Sequence, residues 1–386
     1  LNTKLTLKYN GRIQFQDHSI YRGYLSTMED VVHFGLGKTQ QVDTILVEWP
    51  DGNFQEFYNT DVNKVLEVRH EDSQKKSDTN TRGPSKVYVE EVSAELGIRF
   101  KHKEWDKIDF YKQRTLPHKF SQAGPAIAIG DVNGDDLEDF IIGGSSLYDP
   151  TVFTQKANGS FAMSSIVKTT EKKSEDEGLL LFDADNDKDL DLYIVSGSYE
   201  GDGDVDRYED RLYNNVGKGK FTRTINALPP TPASGSCVRA ADFDGDGDLD
   251  LFVGGRVVVG SYPVAPESYL LRNDQGKFTN VIDEVCPGLK HVGMITDALW
   301  TDFNGDGKLD LAVVGEFMTP TAYRNVGNKL IPVQNSGLEK YSGWWNSITA
   351  ADFDRDGDID YLLGNLGLNN YYNISEQRPL RVYAKD

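Results

Sequence analysis

The sequence is poor in the residues that usually carry chemistry. Among 386 residues there are two cysteines, four methionines and six histidines, the last scattered at 18, 33, 70, 102, 118 and 291. It contains no H-E-x-x-H, no G-x-S-x-G, no phosphate-binding glycine loop and no Cys–His zinc spacing. The common metalloprotease, serine-hydrolase, nucleotide-binding and zinc-finger classes are thereby excluded, and no enzyme is expected, although a count of carboxylates leaves a glycosidase pair open. Basic residues are outnumbered 41 to 61, giving a net charge of −20. Nucleic acid and anionic membrane both require a basic face, so neither is an expected partner. No apolar run reaches the ~18 residues of a membrane span. Cys237 and Cys286 read as two buried thiols or as one disulfide, because sequence gives no distance between them.

What the chain does have is glycine (37 residues), tyrosine (19) and aspartate, the composition of a turn-rich all-β protein. Five segments repeat one pattern: apolar strand, Asp-rich loop, apolar strand, glycine. Their loops begin at Asp131, Asp183, Asp242, Asp302 and Asp352, so successive starts are 52, 59, 60 and 50 residues apart. Most repeats then carry a hairpin signature, clearest at 269–278 (Tyr-Leu-Leu-Arg-Asn-Asp-Gln-Gly-Lys-Phe), with others at 152–161, 212–221 and 322–330. Two strands around the loop and two around the hairpin make four per repeat, the unit of a propeller blade.

Each loop reads D-x-[DN]-x-D-x-x-x-D. Side-chain oxygens at positions 1, 3, 5 and 9, with the carbonyl of position 7, form a candidate metal shell. The first loop offers Asp131, Asn133, Asp135 and Asp139 with the carbonyl of Leu137; the second offers Asp183, Asp185, Asp187 and Asp191 with Asp189. The third offers Asp242, Asp244, Asp246 and Asp250 with Asp248; the fourth, Asp302, Asn304, Asp306 and Asp310 with Lys308. The fifth offers Asp352, Asp354, Asp356 and Asp360 with Asp358. Hard oxygens at alternate positions suit calcium, whereas magnesium demands a stricter octahedron and keeps its waters. An EF-hand would need a glutamate at position 12, which here is Ile142, Ile194, Val253, Val313 or Leu363. Glycine at position 6 (Gly247, Gly307, Gly357) eases a left-handed turn; the second loop contains no glycine and is expected to be the poorest site.

Sites of this kind bind calcium with Kd of about 10⁻⁴–10⁻³ M. At roughly millimolar calcium each contributes about 0.4–1.4 kcal/mol of stability, and at cytosolic concentrations it stays empty. An extracellular or cell-surface location is the expectation.

These repeats, with Asp242–Gly255 (DFDGDGDLDLFVGG) the closest copy, resemble the FG-GAP/VCBS repeats of integrin α-like propellers from about Val87 onward. The resemblance implies a propeller, commonly of seven blades, of which five are recognisable here and a sixth begins at Asp386. Residues 1–68 carry no such loop. Strands at 5–9, at 42–49 and 53–57 around Pro50-Asp51-Gly52, and at 65–68 form a small β domain. Tyr24–Ser26 (YLS), His33–Gly37 (HFGLG) and Val47–Gly52 (VEWPDG) resemble the ASPIC/UnbV domain, which accompanies such propellers in cartilage acidic protein and in bacterial surface proteins. His33 is a candidate ligand or a structural residue. Residues 69–86 read as a polar linker, and 87–120 as a lead-in packing on, or completing, a blade.

The expected role is calcium-stabilised binding or adhesion to a protein or glycan, as a subunit of a cell-surface or outer-membrane assembly or as an outer-membrane lipoprotein. A carbohydrate-recognising or carbohydrate-active module is the alternative, with Trp344 and Trp345 either stacking on sugar or packing between blades. Antiparallel blades put calcium loops and 3–4 hairpins (Lys218, Lys277, Lys329) at one end. The longer connections 199–210, with Asp202, Asp204 and Asp206, and 256–268, with Tyr262, Pro263 and Pro266, then offer a partner face at the other end. Asn158 and Asn373 stand in glycosylation sequons, and the chain is expected to continue past both ends.

Overall fold

The computed structural model describes residues 3–19, 31–75, 89–166, 172–201, 204–368, 370–372, 374–375 and 377–384. Tyr24–Ser26, Asp202, Asn373, Asp386 and most of the linker lie outside the described residues. The chain divides into two compact units, Leu1–Glu91 and Val92–Asp386.

The first unit is one antiparallel sheet in the order β2-β1-β3-β4-β5. Its strands are β1 (Thr3–Tyr9), β2 (Arg12–His18), β3 (Gln41–Glu48), β4 (Asn53–Asp61) and β5 (Gln74–Lys75). Alternation turns Leu7, Tyr9, Val42, Ile45 and Val47 to one buried face, with Phe34, Leu36, Trp49 and Leu66 packed on it. The turn at Pro50-Asp51-Gly52 is held by Asp51 Oδ1, which accepts from the amide of Asn53 at 3.0 Å. The strand expected at 65–68 is not one. Leu66 and Val68 cover the apolar face with their side chains, but this backbone joins no ladder. His33 is exposed.

The second unit is an all-β array of antiparallel sheets. Repeat one comprises β6 (Ile127–Gly130), β7 (Asp139–Ile142), β8 (Thr151–Gln155) and β9 (Phe161–Ser165). Repeat two comprises β10 (Glu175–Phe182), β11 (Asp191–Gly197), β12 (Arg211–Asn215) and β13 (Phe221–Thr224). Repeat three comprises β14 (Ser234–Ala241), β15 (Asp250–Val257), β16 (Tyr269–Asp274) and β17 (Lys277–Asn280). Repeat four comprises β18 (Met294–Thr301), β19 (Asp310–Met318), β20 (Thr321–Asn325) and β21 (Leu330–Pro332). The fifth repeat contributes β22 (Gly343–Ala351) and β23 (Asp360–Asn365), joined to the fourth by the pairs Glu316–Trp344 and Met318–Gly343. No further strand follows among the described residues, so the fifth repeat has two strands where four were expected.

The cores lie between successive sheets. Ile141 and Val152 of repeat one meet Leu192 and Tyr213 of repeat two. Tyr193 and Leu212 meet Val253 and Leu271 of repeat three, and Phe252 and Leu270 meet Leu311 and Val313 of repeat four. The second strands of repeats two to four are therefore covered on both faces, which is why β11 is buried along its whole length and reads as an apolar run. Cys237 and Cys286 sit in the third of these cores as free thiols, and burial pushes the Cys237 thiol up to about 11.

The lead-in packs on the array without adding a strand; its one regular element is a 3-10 turn at Asp109–Tyr111. Leu116 and Phe120 form an apolar cluster with Tyr199, Val257, Tyr262 and Met294. Gln113 donates to the carbonyl of Tyr262 at 2.6 Å and accepts from its amide at 2.9 Å. Tyr262 and Pro266 are buried, so the apolar content of that connection is spent inside the molecule. Trp344 lies 5.2 Å from the ring of His118 and 5.4 Å from that of Phe317, which places it in packing.

Candidate metal centres

Every loop joins the first two strands of its repeat, and the second strand begins on the position-9 aspartate itself. The turn is built around the first carboxylate. Asp131 Oδ1 accepts from Gly134 at 2.8 Å and Oδ2 from Asp136 at 2.7 Å. Gly245 and Gly247 bind Asp242 likewise at 2.7 and 3.1 Å, and Gly305 and Gly307 bind Asp302 at 2.8 Å each. In the second and fifth loops Lys188 reaches Asp183 at 2.9 Å and Gly357 reaches Asp352 at 3.2 Å. The Gly307 amide, first among several, holds Asp302 below the usual carboxylate range; burial opposes the same effect at Asp131 without overcoming its amides.

Position 5 accepts from the amide of position 7 in all five loops: Leu137 to Asp135 and Asp189 to Asp187 at 3.0 Å, Asp248 to Asp246 at 2.9 Å, Lys308 to Asp306 at 3.0 Å and Asp358 to Asp356 at 3.1 Å. The second loop follows the same path without glycine: Asn186 and Lys188 take φ of 64° and 76° where the third loop has Gly245 and Gly247 at 79° and 98°.

In the first four loops the position-9 carboxylate is the buried floor, whereas Asp360 of the fifth is half-buried. Asp139, Asp250 and Asp310 are fully buried and Asp191 nearly so. One oxygen accepts from the third strand: from Gln155, Asn215 and Asn273 at 2.8 Å and from Asn325 at 2.7 Å. Burial pushes Asp191 up to about 6 and Asp250 to about 7, and raises Asp139 and Asp310 in the same direction. Asp189 is likewise pushed up to about 6 by burial and by Asp187.

Three loops gather their carboxylates. Oxygens of Asp183, Asp185 and Asp191 lie within 4.8 Å of one another, as do those of Asp242, Asp244 and Asp246, and of Asp352, Asp354 and Asp356. In the second loop Asp185 Oδ1 and Asp189 Oδ1 are buried without a hydrogen-bond partner. Orphaned hard oxygens facing other carboxylates fit a divalent cation. In the first and fourth loops the position-3 amides of Asn133 and Asn304 donate to Asp139 and Asp310 at 3.2 and 2.8 Å.

The loops share one end of the array with the 3–4 hairpins: Gln275 donates to Asp248 at 2.9 Å, and Asn328 to the carbonyl of Asp244 at 3.1 Å. Sequence reasoning missed a further set of residues here. Asn215, Asn273 and Asn325 each send their side-chain amide to the preceding loop, onto the carbonyls of Val132, Ala184 and Phe243 at 2.8, 2.8 and 2.6 Å. Their only sequence signal is an asparagine recurring just before each hairpin turn. At the opposite end, Asp204 is engaged by Lys173 at 3.0 Å, and Asp206 is exposed.

A family model described as ASPIC and UnbV matches residues 1–75, and one described as FG-GAP-like repeat matches 131–194, 183–253 and 302–363. The chain is an ASPIC and UnbV domain followed by FG-GAP-like repeats. Each FG-GAP-like match opens on the first aspartate of a loop and closes on the apolar position 12 of the next, so all five loops fall inside the matches. Cartilage acidic protein 1 of Mus musculus is 28% identical over 196 residues, 49% of this chain and 28% of that protein. The chain thus spans under a third of the length of that curated relative. Similar solved structures include an Agrocybe aegerita lectin that recognises non-reducing terminal N-acetylglucosamine (17% identity, TM-score 0.37, 61% of this chain and 56% of that one). Another is the exotype rhamnogalacturonan lyase YesX (13% identity, TM-score 0.31, 63% and 56%). At these scores neither bears on the ligand of the FG-GAP-like array. No helix among the described residues is long and apolar enough to cross a membrane.

Proposed function

We propose that the chain is a calcium-stabilised, non-catalytic binding module of the extracellular space or cell surface, with its repeats arranged as propeller blades. The observation that carries this reading is the pairing, in the first four loops, of an amide-wrapped first carboxylate with a buried last carboxylate on the floor of the turn. Five calcium ions would be held by the position-1, -3, -5 and -9 oxygens and the position-7 carbonyls. They would supply charge neutralisation where three acidic groups (first and fourth loops) or four (second, third and fifth) otherwise repel. Weak sites of this class fill only where calcium is near millimolar, which places the module outside the cytosol.

A binding role, to a protein or glycan at the cell surface, is supported by the division of the array into two ends. One is occupied by the loops; the other carries the long connections and the docked lead-in. Binding residues concentrate on loops held by a rigid scaffold. The test is a calcium titration with thermal melting: chelation should lower the Tm by many degrees and calcium should restore it. A melting curve unmoved by chelator would overturn the reading.

A further inference from the structure

Acidic side chains also gather where no Asp loop lies, at the end of repeat two that faces the lead-in. Glu175 opens β10 and stands across the ladder from Gly197. Glu177 is the extra residue where the register shifts between Asp176 and Gly178, a bulge that re-aims its side chain. Gly197 makes room for it, since a Cβ there would lie 2.3 Å from Cγ of Glu177. Glu200 follows β11 on the 2–3 connection, and Glu104 comes from the lead-in.

These four carboxylates see one another. The charges acting on Glu175 are those of Glu177, Glu200 and Glu104, and Glu104 acts on Glu177 as well. Each has one buried oxygen without a hydrogen-bond partner: Glu104 Oε2, Glu175 Oε1, Glu177 Oε1 and Glu200 Oε1, with Ser198 Oγ beside them in the same condition. Glu175 is 4% exposed, and the side chain of Glu200 is 8% exposed. Asp176, between Glu175 and Glu177, shows what a satisfied buried carboxylate looks like here. It takes Arg211 at 2.6 Å, Lys172 at 2.9 Å and the Gly144 amide at 2.7 Å. Positive groups reach the cluster only in part: His102 pairs with the other oxygen of Glu104, Arg207 faces the other oxygen of Glu200 at 3.6 Å, and Arg256, which acts on Glu177, is bound to Glu316 at 2.7 Å. One histidine, one arginine at 3.6 Å and a shared Arg256 leave four carboxylates short of positive charge, and buried carboxylates so under-compensated are costly without a further cation.

We propose that Glu104, Glu175, Glu177 and Glu200 form a calcium site, distinct from the Asp loops and at the opposite end of the array, which fastens the lead-in to repeat two. The donors are all oxygen, which suits calcium over softer metals. The site is not a finished cage. Among the described residues, acidic oxygens within 4.8 Å of one another in threes occur only in the Asp loops. The ion therefore completes its shell with water, or draws Glu104 inward, and either way its binding is coupled to docking of the lead-in.

The experiment counts calcium bound to the full chain, by equilibrium dialysis against saturating calcium with atomic emission on both sides of the membrane, in the wild type and in Glu104→Gln, Glu175→Gln and the loop variant Asp242→Asn. The two glutamate variants should each lose one equivalent. In parallel, trypsin cleavage after Lys101 or Lys103 should be slowed by calcium in the wild type and in Asp242→Asn, and faster by about tenfold in Glu104→Gln. Glu104 lies outside the sheets, so its variant tests the idea even if Glu175→Gln fails to fold. An unchanged count in Glu104→Gln, with cleavage indifferent to calcium, would overturn the proposal and assign the carboxyls to protons. Loss of an equivalent in the glutamate variants but not in Asp242→Asn would instead count against the loops and leave this site standing.

Discussion

The backbone amide of Asn273 donates to Asp250 of its own repeat at 2.8 Å, while its side chain donates to Ala184 in the repeat before, also at 2.8 Å. One residue thus ties the floor of one metal loop to the backbone of its neighbour. Replacing it by alanine keeps the bond to Asp250 and removes the bond to Ala184, together with the one Asn273 accepts from Gly276 at 2.8 Å. The expected cost is about 1–3 kcal/mol, read as a lower urea midpoint, with weaker calcium binding in the loops on both sides.

Lys188 holds a left-handed backbone at φ 76°, where the third and fifth loops have glycine at 98° and 101°. Lys188→Gly should stabilise the protein by about 1 kcal/mol in saturating calcium, and Gly357→Ala should destabilise it by a similar amount. A Cβ at 357 meets nothing within 4 Å, so the loss would report backbone strain and not crowding. Denaturant midpoints of the two variants decide it.

Asp210 is buried, accepting from Tyr193 at 2.7 Å and from the Ser196 amide at 2.8 Å. Burial pushes its carboxyl from 3.8 up to about 7. A raised carboxyl contributes stability that is whole below about pH 4 and is lost as pH rises through about 7, at up to about 1.4 kcal/mol per pH unit. Asp210→Asn can keep both hydrogen bonds and does not titrate. Relative to the wild type it should therefore gain stability steadily between pH 4 and pH 7, measured by melting at fixed calcium. A constant difference across that range would contradict the shift.

Asp109, fully buried in the lead-in, accepts from the amides of Phe120 and Ser121 at 2.7 and 3.0 Å. Asp109→Ala orphans both amides and should cost about 2–4 kcal/mol. Proteolysis should then open the lead-in first, with the repeats still resistant; simultaneous loss of both would mean that the lead-in is integral to the array.

The Asp loops were legible because their donors are local: nine residues carry the turn and its oxygens. The second strands of repeats two to four were legible because they are buried on both faces and so read as apolar runs. β2 was missed because an edge strand of Arg-Ile-Gln-Phe-Gln-Asp-His needs no apolar alternation. Residues 65–68 were overread, since Leu66 and Val68 reach the core from a backbone that pairs with nothing. The Asn273–Ala184 bond spans 89 residues, and Glu104 comes to act on Glu175 only once the lead-in has folded back. Such partners are set by which sheet stacks on which, a relation that no local pattern encodes.

The asparagine bonds all run the same way, from a later repeat to an earlier one. Each loop offers a carbonyl upstream and waits for a side chain from downstream, so the array has a grammar as well as a period. A repeat can be appended if it brings its own asparagine, and the repeat before it needs no alteration. One lacking that residue would leave its predecessor's carbonyl unclaimed and end the phrase there.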